Sequence, residues 1–403
     1  MWVLGVCFIL KNSSNMKLPR ISLLGKIVIA ITLGMLCGPW FPEWLSRVFA
    51  TFNGLFGNFL GFIVPLLILG LIVPGIADVG KGAGRLLAIT ALLAYGFTLF
   101  SGFFAWGTCE AVYPSLLHGV SLAEVGEVSD SSAPYFTVDM PPIMSVMGAL
   151  VAAFVIGIGL TIIEGTTLKK AFDDFKNIII KTIEGVIIPL LPLYIFGIFL
   201  SMSTNGQVMS VMSVFVKLIV IIFAMTAILL LLQFSIAGIV AKRNPLKMLR
   251  MMLPAYFTAL GTSSSAATIP VTLKQAVKNN VSPSIAGFVV PLCATIHLSG
   301  STLKIVSCSV AIMMLTGIPI DPMTMAGFIF MLGITMVAAP GVPGGAIMAA
   351  VGILQSILGF DQTAVGLMIA LYIAMDSFGT ATNVTGDGAI AVIIDEISQK
   401  GKR

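Results

Sequence analysis

Two ionisable side chains, His297 and Lys304, lie in the stretch Pro291-Leu-Cys-Ala-Thr-Ile-His-Leu-Ser-Gly-Ser-Thr-Leu-Lys304, with apolar sequence on both sides. Two carboxylates bound a second such stretch, Asp376-Ser-Phe-Gly-Thr-Ala-Thr-Asn-Val-Thr-Gly-Asp387. Charges inside long apolar segments are rare and mark binding sites or ion paths. The chemistry on offer is ionic: carboxylates for a cation or an ammonium, an ammonium for an anion, and an imidazole that titrates near neutral pH. Pro291, Gly300 and a cluster of hydroxyls oppose a straight lipid-facing helix. Irregular backbone at that depth survives only where it faces protein or a water-filled cavity.

The elements that must position these groups follow from composition. The chain has 403 residues, 58% of them hydrophobic and 10% charged, whereas a soluble protein carries about a quarter charged residues. It reads as an all-α polytopic membrane protein. The net charge of +5 comes from basic residues scattered at loop ends, which excludes a nucleic-acid partner. Five cysteines, Cys7, Cys37, Cys109, Cys293 and Cys308, show neither metal spacing nor a disulfide framework. Residues 1–15 resemble a short signal without a small-residue cleavage site, and Met16 opens a more ordinary start. Residues 1–15 are therefore read as an upstream extension or a disordered tail, and 1–20 as a cytoplasmic tail.

Hydropathy places spans at about 22–41, 54–77, 86–113, 144–164, 178–202 and 209–240. Basic clusters precede the first span, lie between the second and third and between the fourth and fifth, and follow the sixth. The loop 114–143 has no lysine or arginine and carries Glu124, Glu127, Asp130 and Asp139. That asymmetry puts both termini in the cytoplasm, with Arg47 a lone exception on the outer side.

After residue 250 the pattern changes. Residues 251–278 hold Leu260-Gly-Thr-Ser-Ser-Ser-Ala-Ala-Thr-Ile-Pro270 between two apolar arms, with basic residues at both ends. This predicts a re-entrant helical hairpin. A seventh span follows at about 284–315. A second interrupted segment at 323–358 breaks at Ala339-Pro-Gly-Val-Pro-Gly-Gly345, and an eighth span covers about 363–394. The expected total is eight transmembrane helices plus two re-entrant hairpins, in two hairpin–broken-helix units of opposite orientation. Inverted repeats with discontinuous helices place a transporter's binding site near the bilayer midplane.

Four motifs in order carry a family resemblance over about residues 20–398. They are Ser263-Ser-Ser-Ala-Ala-Thr-Ile-Pro270, Pro291 to Gly300, Gly341-Val-Pro-Gly344, and Asp376 with Asn383-Val-Thr-Gly-Asp387. The chain resembles the dicarboxylate/amino acid:cation symporter family, the glutamate-transporter homologues. The resemblance implies a homotrimer in the cell membrane and an elevator mechanism. Residues 21–250 would supply six helices, mainly scaffold, with the third and sixth joining a moving core at 251–398. The tail 399–403 would be cytoplasmic, and the second hairpin would gate the outside.

The same resemblance assigns roles. Asp376 would pair with a substrate amino group, and Asn383 would contact the substrate's carboxylate or amide region. Ser264 and Ser265 would hold an α-carboxylate, although serines also cap helices. Ser301, Thr380, Gly341, Val342, Pro343, Gly344 and Lys304 complete the substrate set. Asn383, Asp387, His297 and Ser299 would hold a sodium ion as the coupling ion. No other cofactor is expected.

Three departures qualify this. His297, Leu298 and Ser299 stand where the family has Asn-Met-Asp, so a proton is an alternative coupling ion. Gly379 stands where acidic-substrate members have an arginine, which argues for a neutral substrate. Lys304 stands where many members have a tyrosine. It either points into the pocket to hold a second carboxylate, or pairs with Asp376 or Asp387. His297, seven residues before Lys304, would face the same cavity on a regular helix, unless it only bonds a backbone carbonyl. The expected function is cation-coupled symport of a small amino acid or dicarboxylate. A channel on the same fold is a weaker reading. An enzyme is not expected, because no nucleophile–base–orienter set is visible.

Overall fold

The computed structural model describes residues 22–80, 85–116, 133–163, 165–204, 208–339 and 343–400. The expected tail 1–20, residues 401–403 of the expected tail 399–403, the acidic residues Glu124, Glu127 and Asp130, and the tip residues Gly341 and Val342 lie outside these, while Gln399 and Lys400 belong to the last helix. The described residues form helices and connections only.

The first half runs α1 (Leu23–Cys37), α2 (Glu43–Gly80), α3 (Arg85–Leu116), α4 (Val146–Ile162), α5 (Thr167–Thr182), α6 (Ile188–Thr204) and α7 (Val208–Ala241). A single wide turn, Ile183–Ile187, joins α5 to α6, so one helical stretch spans Thr167–Thr204. The hydropathy boundary at 178 missed its first turns. They are charged, and an i,i+4 pair between Lys169 and Asp173 (3.0 Å) supports them. Glu43 likewise starts α2 ahead of the boundary at 54, because Glu43, Ser46, Arg47, Thr51 and Asn53 dilute the apolar residues there.

The second half repeats one unit twice. Hairpin α8 (Pro245–Thr262) and α9 (Ser265–Lys278) precedes α10 (Pro283–Ile296) and α11 (Ser299–Thr316). Hairpin α12 (Pro322–Val337) and α13 (Gly345–Leu358) precedes α14 (Gln362–Ala374) and α15 (Asp376–Lys400). Local chemistry sets each start. Asn244 caps α8, Asp321 caps α12 and Asp361 caps α14, each by accepting a first-turn amide on its side chain. Pro245, Pro283 and Pro322 occupy first-turn positions where no amide is needed. Gly317 and Gly359 end α11 and α13 in the left-handed region.

Six helices among the described residues are long and apolar enough to cross a membrane. The bent pair α14–α15, with a 62° angle between its halves, makes up to seven. The remaining expected span, α4, is apolar but shorter. The chain is a multi-pass membrane protein. Its outer helices expose Val151, Val155, Ile162 and Ile239, as a lipid-facing surface does. By contrast α11, α14 and most of α15 are buried all round, polar residues included. α3 packs along α11 and α7 along α15, which encloses the two broken helices.

Candidate functional site

Two helix breaks and two hairpin tips meet in the second half. α10 ends where His297 turns extended (φ −107°, ψ 102°), and α11 restarts at Ser299. The new helix exposes amides that need acceptors. Asn383 Oδ1 takes those of Gly300 (2.8 Å) and Ser301 (3.3 Å). Gly300 permits this closeness, since a Cβ there would lie 2.6 Å from Thr382 Cβ and 2.7 Å from the Gly379 carbonyl. Ser301 Oγ accepts from Tyr372 OH (3.0 Å) and Asn383 Nδ2 (3.1 Å).

The second break falls at Met375, between α14 and α15. Opposed helix ends meet there, and each receives a complementary charge. Asp376 stands in the first turn of α15, 8% exposed. The ammonium of Lys304, reaching over from α11, donates to the Met375 carbonyl (3.1 Å) and the Asp376 carbonyl (3.5 Å). It lies 3.7 Å from Asp376 Oδ1 and 4.0 Å from the centre of the Tyr372 ring. Asp376 Oδ2 accepts the amide of Gly344 (2.8 Å) at the second hairpin tip. Gly344 has φ 74°, a left-handed turn that suits glycine. Thr380 Oγ1 donates back to the Asp376 carbonyl (3.1 Å).

A cavity of about 30 Å³ opens here, lined by Ser263, Ser265, Ser301, Asp376, Thr380 and Asn383, among others. That is room for about one water rather than an amino acid, so this conformer is closed over the site. Another cavity, of about 360 Å³, lies among Asn53, Asn58, Tyr194 and Gln362. It is larger, but among the described residues no Asp, Glu, Lys, Arg or His lines it. It therefore lacks the ionic chemistry concentrated at Asp376.

At the first hairpin tip Ser263 adopts a left-handed conformation (φ 51°), and Ser264 caps α9 by accepting the Ala267 amide (3.3 Å). The tip touches α15 through the hydroxyls of Ser263 and Ser377, 2.6 Å apart. Pro343 and Gly344 mark the described part of the second tip.

Asp387 has a different neighbourhood. His297 Nδ1 stands 2.9 Å from Asp387 Oδ1, and both residues are 1% exposed. Gln233 of α7 donates to Ser299 Oγ (3.1 Å). Gly386 holds this cluster together, since a Cβ there would lie 2.7 Å from both Gln233 Oε1 and His297 Cε1. An ion held by Asp387 Oδ1 and Ser299 Oγ would take the places of this imidazole and this amide. His297 and Lys304 do not share a partner. The seven-residue spacing assumed one regular helix, and the break at His297–Leu298 sends them to different carboxylates.

The structure thus brings Ser265, Ser301, Asp376, Thr380 and Asn383 onto one cavity, with Ser264, Gly344 and Lys304 beside it. Sequence reasoning passed over Tyr372, Ser377 and Gln233. Gln233 had a signal, a lone amide in the apolar run Ile228–Phe234. Tyr372 and Ser377 matter only through contacts between distant segments.

Two hairpins and two broken helices converging on a buried carboxylate define a membrane carrier rather than an enzyme. Residues 23–397 match the model of the sodium:dicarboxylate symporter family. The chain belongs to that family and is a transporter. Its relatives include the serine/threonine transporter SstT of Acinetobacter baumannii strain AYE, 26% identical over 397 residues that cover 93% of this chain and 97% of the relative. The protein of the same name from Acinetobacter baylyi strain ATCC 33305 is 25% identical over 399 residues, covering 94% and 98%.

Proposed function

We propose that the chain carries a small neutral amino acid of the serine/threonine type across the membrane, driven by a cation gradient. One observation carries this reading. Among the described residues, the cavity presents a single anionic anchor, Asp376, and no free cationic one. Position 379 is a glycine, and the Lys304 ammonium directs its hydrogen bonds to two backbone carbonyls. A substrate ammonium fits Asp376 as a charge-assisted donor. Its carboxylate fits the first-turn amides and hydroxyls at Ser264 and Ser265, because a helix N-terminus favours an anion. A dicarboxylate would bring a second negative charge with nothing to meet it. The names of the relatives point the same way.

The Gly344 amide occupies Asp376 in the closed conformer, so substrate entry requires the second hairpin tip to move. That supports its role as the gate. The remaining parts of the reading come from the family resemblance: a homotrimer in the cell membrane with both termini cytoplasmic, and an elevator in which the core 251–398, with α3 and α7, moves against a scaffold.

Thermal shift of the purified protein against serine, threonine, aspartate and succinate tests this. A ligand of the folded state raises Tm by mass action. Serine and threonine should stabilise and succinate should not; a shift with succinate alone would overturn the reading. A second reading, a carrier not driven by sodium, draws on the His297–Asp387 contact. Serine uptake that is equal in sodium and in choline would favour it.

A further inference from the structure

We propose that Lys304 is a tethered cation: it neutralises Asp376 whenever no substrate ammonium is present, and so lets the empty transporter change sides without binding a free cation. The proposal rests on the reading of Asp376 as the ammonium partner.

A lysine usually extends to put its charge in water. Lys304 is 1% exposed and its ammonium is enclosed. Around it stand the Met375 and Asp376 carbonyls, Asp376 Oδ1 and the face of Tyr372. Two carbonyls, a carboxylate and a π face are the surroundings of a monovalent cation site. The site lies at the carbonyl end of α14, where the helix itself favours positive charge. Position 379 makes room for this arrangement: a Cβ there would fall on Lys304 Cε and Nζ.

The contacts also show how substrate and lysine share Asp376. The 3.7 Å separation from Oδ1 is an ion pair, longer than a direct charge-assisted hydrogen bond at about 2.7–2.9 Å. Oδ2 is held by the Gly344 amide. When the tip lifts, that oxygen becomes free for the substrate ammonium. When substrate leaves and the tip returns, Lys304 still balances the carboxylate. Without Lys304 the closed, empty core would carry an unpaired buried carboxylate, which is strongly unfavourable.

Proteoliposomes loaded with or without unlabelled serine separate the two half-cycles. Exchange of labelled for internal serine needs only the loaded carrier, whereas net uptake also needs the empty carrier to return. Wild type should perform both. In Lys304→Ala net uptake should fall about a hundredfold further than exchange does, the cost of an uncompensated buried charge. Methylammonium, which fits the vacated space, should restore net uptake in that variant and not stimulate wild type. Lys304→Gln keeps a donor for the Met375 carbonyl and lacks the charge, so it carries the test where the alanine variant does not fold. Exchange and net uptake falling together in Lys304→Gln, or neither falling, overturns the proposal. A wild type that exchanges no amino acid overturns the functional reading as well.

Discussion

Asp376 and Asp387 sit on one helix, eleven positions apart, and both are buried carboxylates in an apolar chain. Their surroundings differ in kind. Asp376 stands at a helix break beside a cavity, and one of its partners is an amide on a hairpin tip. Asp387 lies within the run of α15, on an imidazole from the other broken helix, in a cluster that Gly386 allows to close tightly. A carboxylate whose partner belongs to a separate hairpin can trade that partner for a ligand. One locked between two packed helices cannot do so without opening the core. On the proposed reading, the Asp376 end recognises the substrate and the Asp387 end keeps internal order.

The largest effect should come from removing the exchangeable carboxylate. Asp376→Ala should weaken serine binding by roughly 3 kcal/mol, about a hundredfold, as read by calorimetry. Unchanged affinity would end its role as the ammonium partner. Asp387→Asn should act on stability instead, lowering it by about 2 kcal/mol through loss of the buried charged contact, as read by denaturation of the purified protein. The slope of serine affinity against sodium concentration, measured on the same samples, sharpens the comparison. A slope present in wild type and lost in the variant keeps a sodium ion at Asp387, and an unchanged slope removes it.

Gly379→Ala should be smaller still. Its methyl would strike the Lys304 ammonium, and overpacking of this kind costs about 1.5 kcal/mol, seen as a lower Tm that Lys304→Ala in the same chain should partly restore. Ser264→Ala should cost about 1 kcal/mol as a lost helix cap, with a modest rise in serine Kd. A larger loss of affinity than of stability would show that the hydroxyl meets the ligand.

Much of this arrangement was legible in the sequence. Ser263–Ser265, Gly300 and the run from Asp376 announced their breaks because glycine, hydroxyls and charge inside apolar segments have few other uses. Helix starts were less legible. Thr167 and Glu43 open helices whose first turns mix charged and polar residues with apolar ones, and hydropathy registers only apolar length. The pairing of charges was not legible at all. Lys304 meets a residue 72 positions away and His297 one 90 positions away. Both pairings depend on how far the helix breaks rotate each side chain, and no periodicity encodes that.

The central claim is that Asp376 selects a ligand by its ammonium. The most direct test is the Tm of wild-type protein titrated with serine and, separately, with glycerate, which carries a hydroxyl where serine has its ammonium. The account predicts a concentration-dependent rise with serine and none with glycerate. Equal rises with both would contradict it.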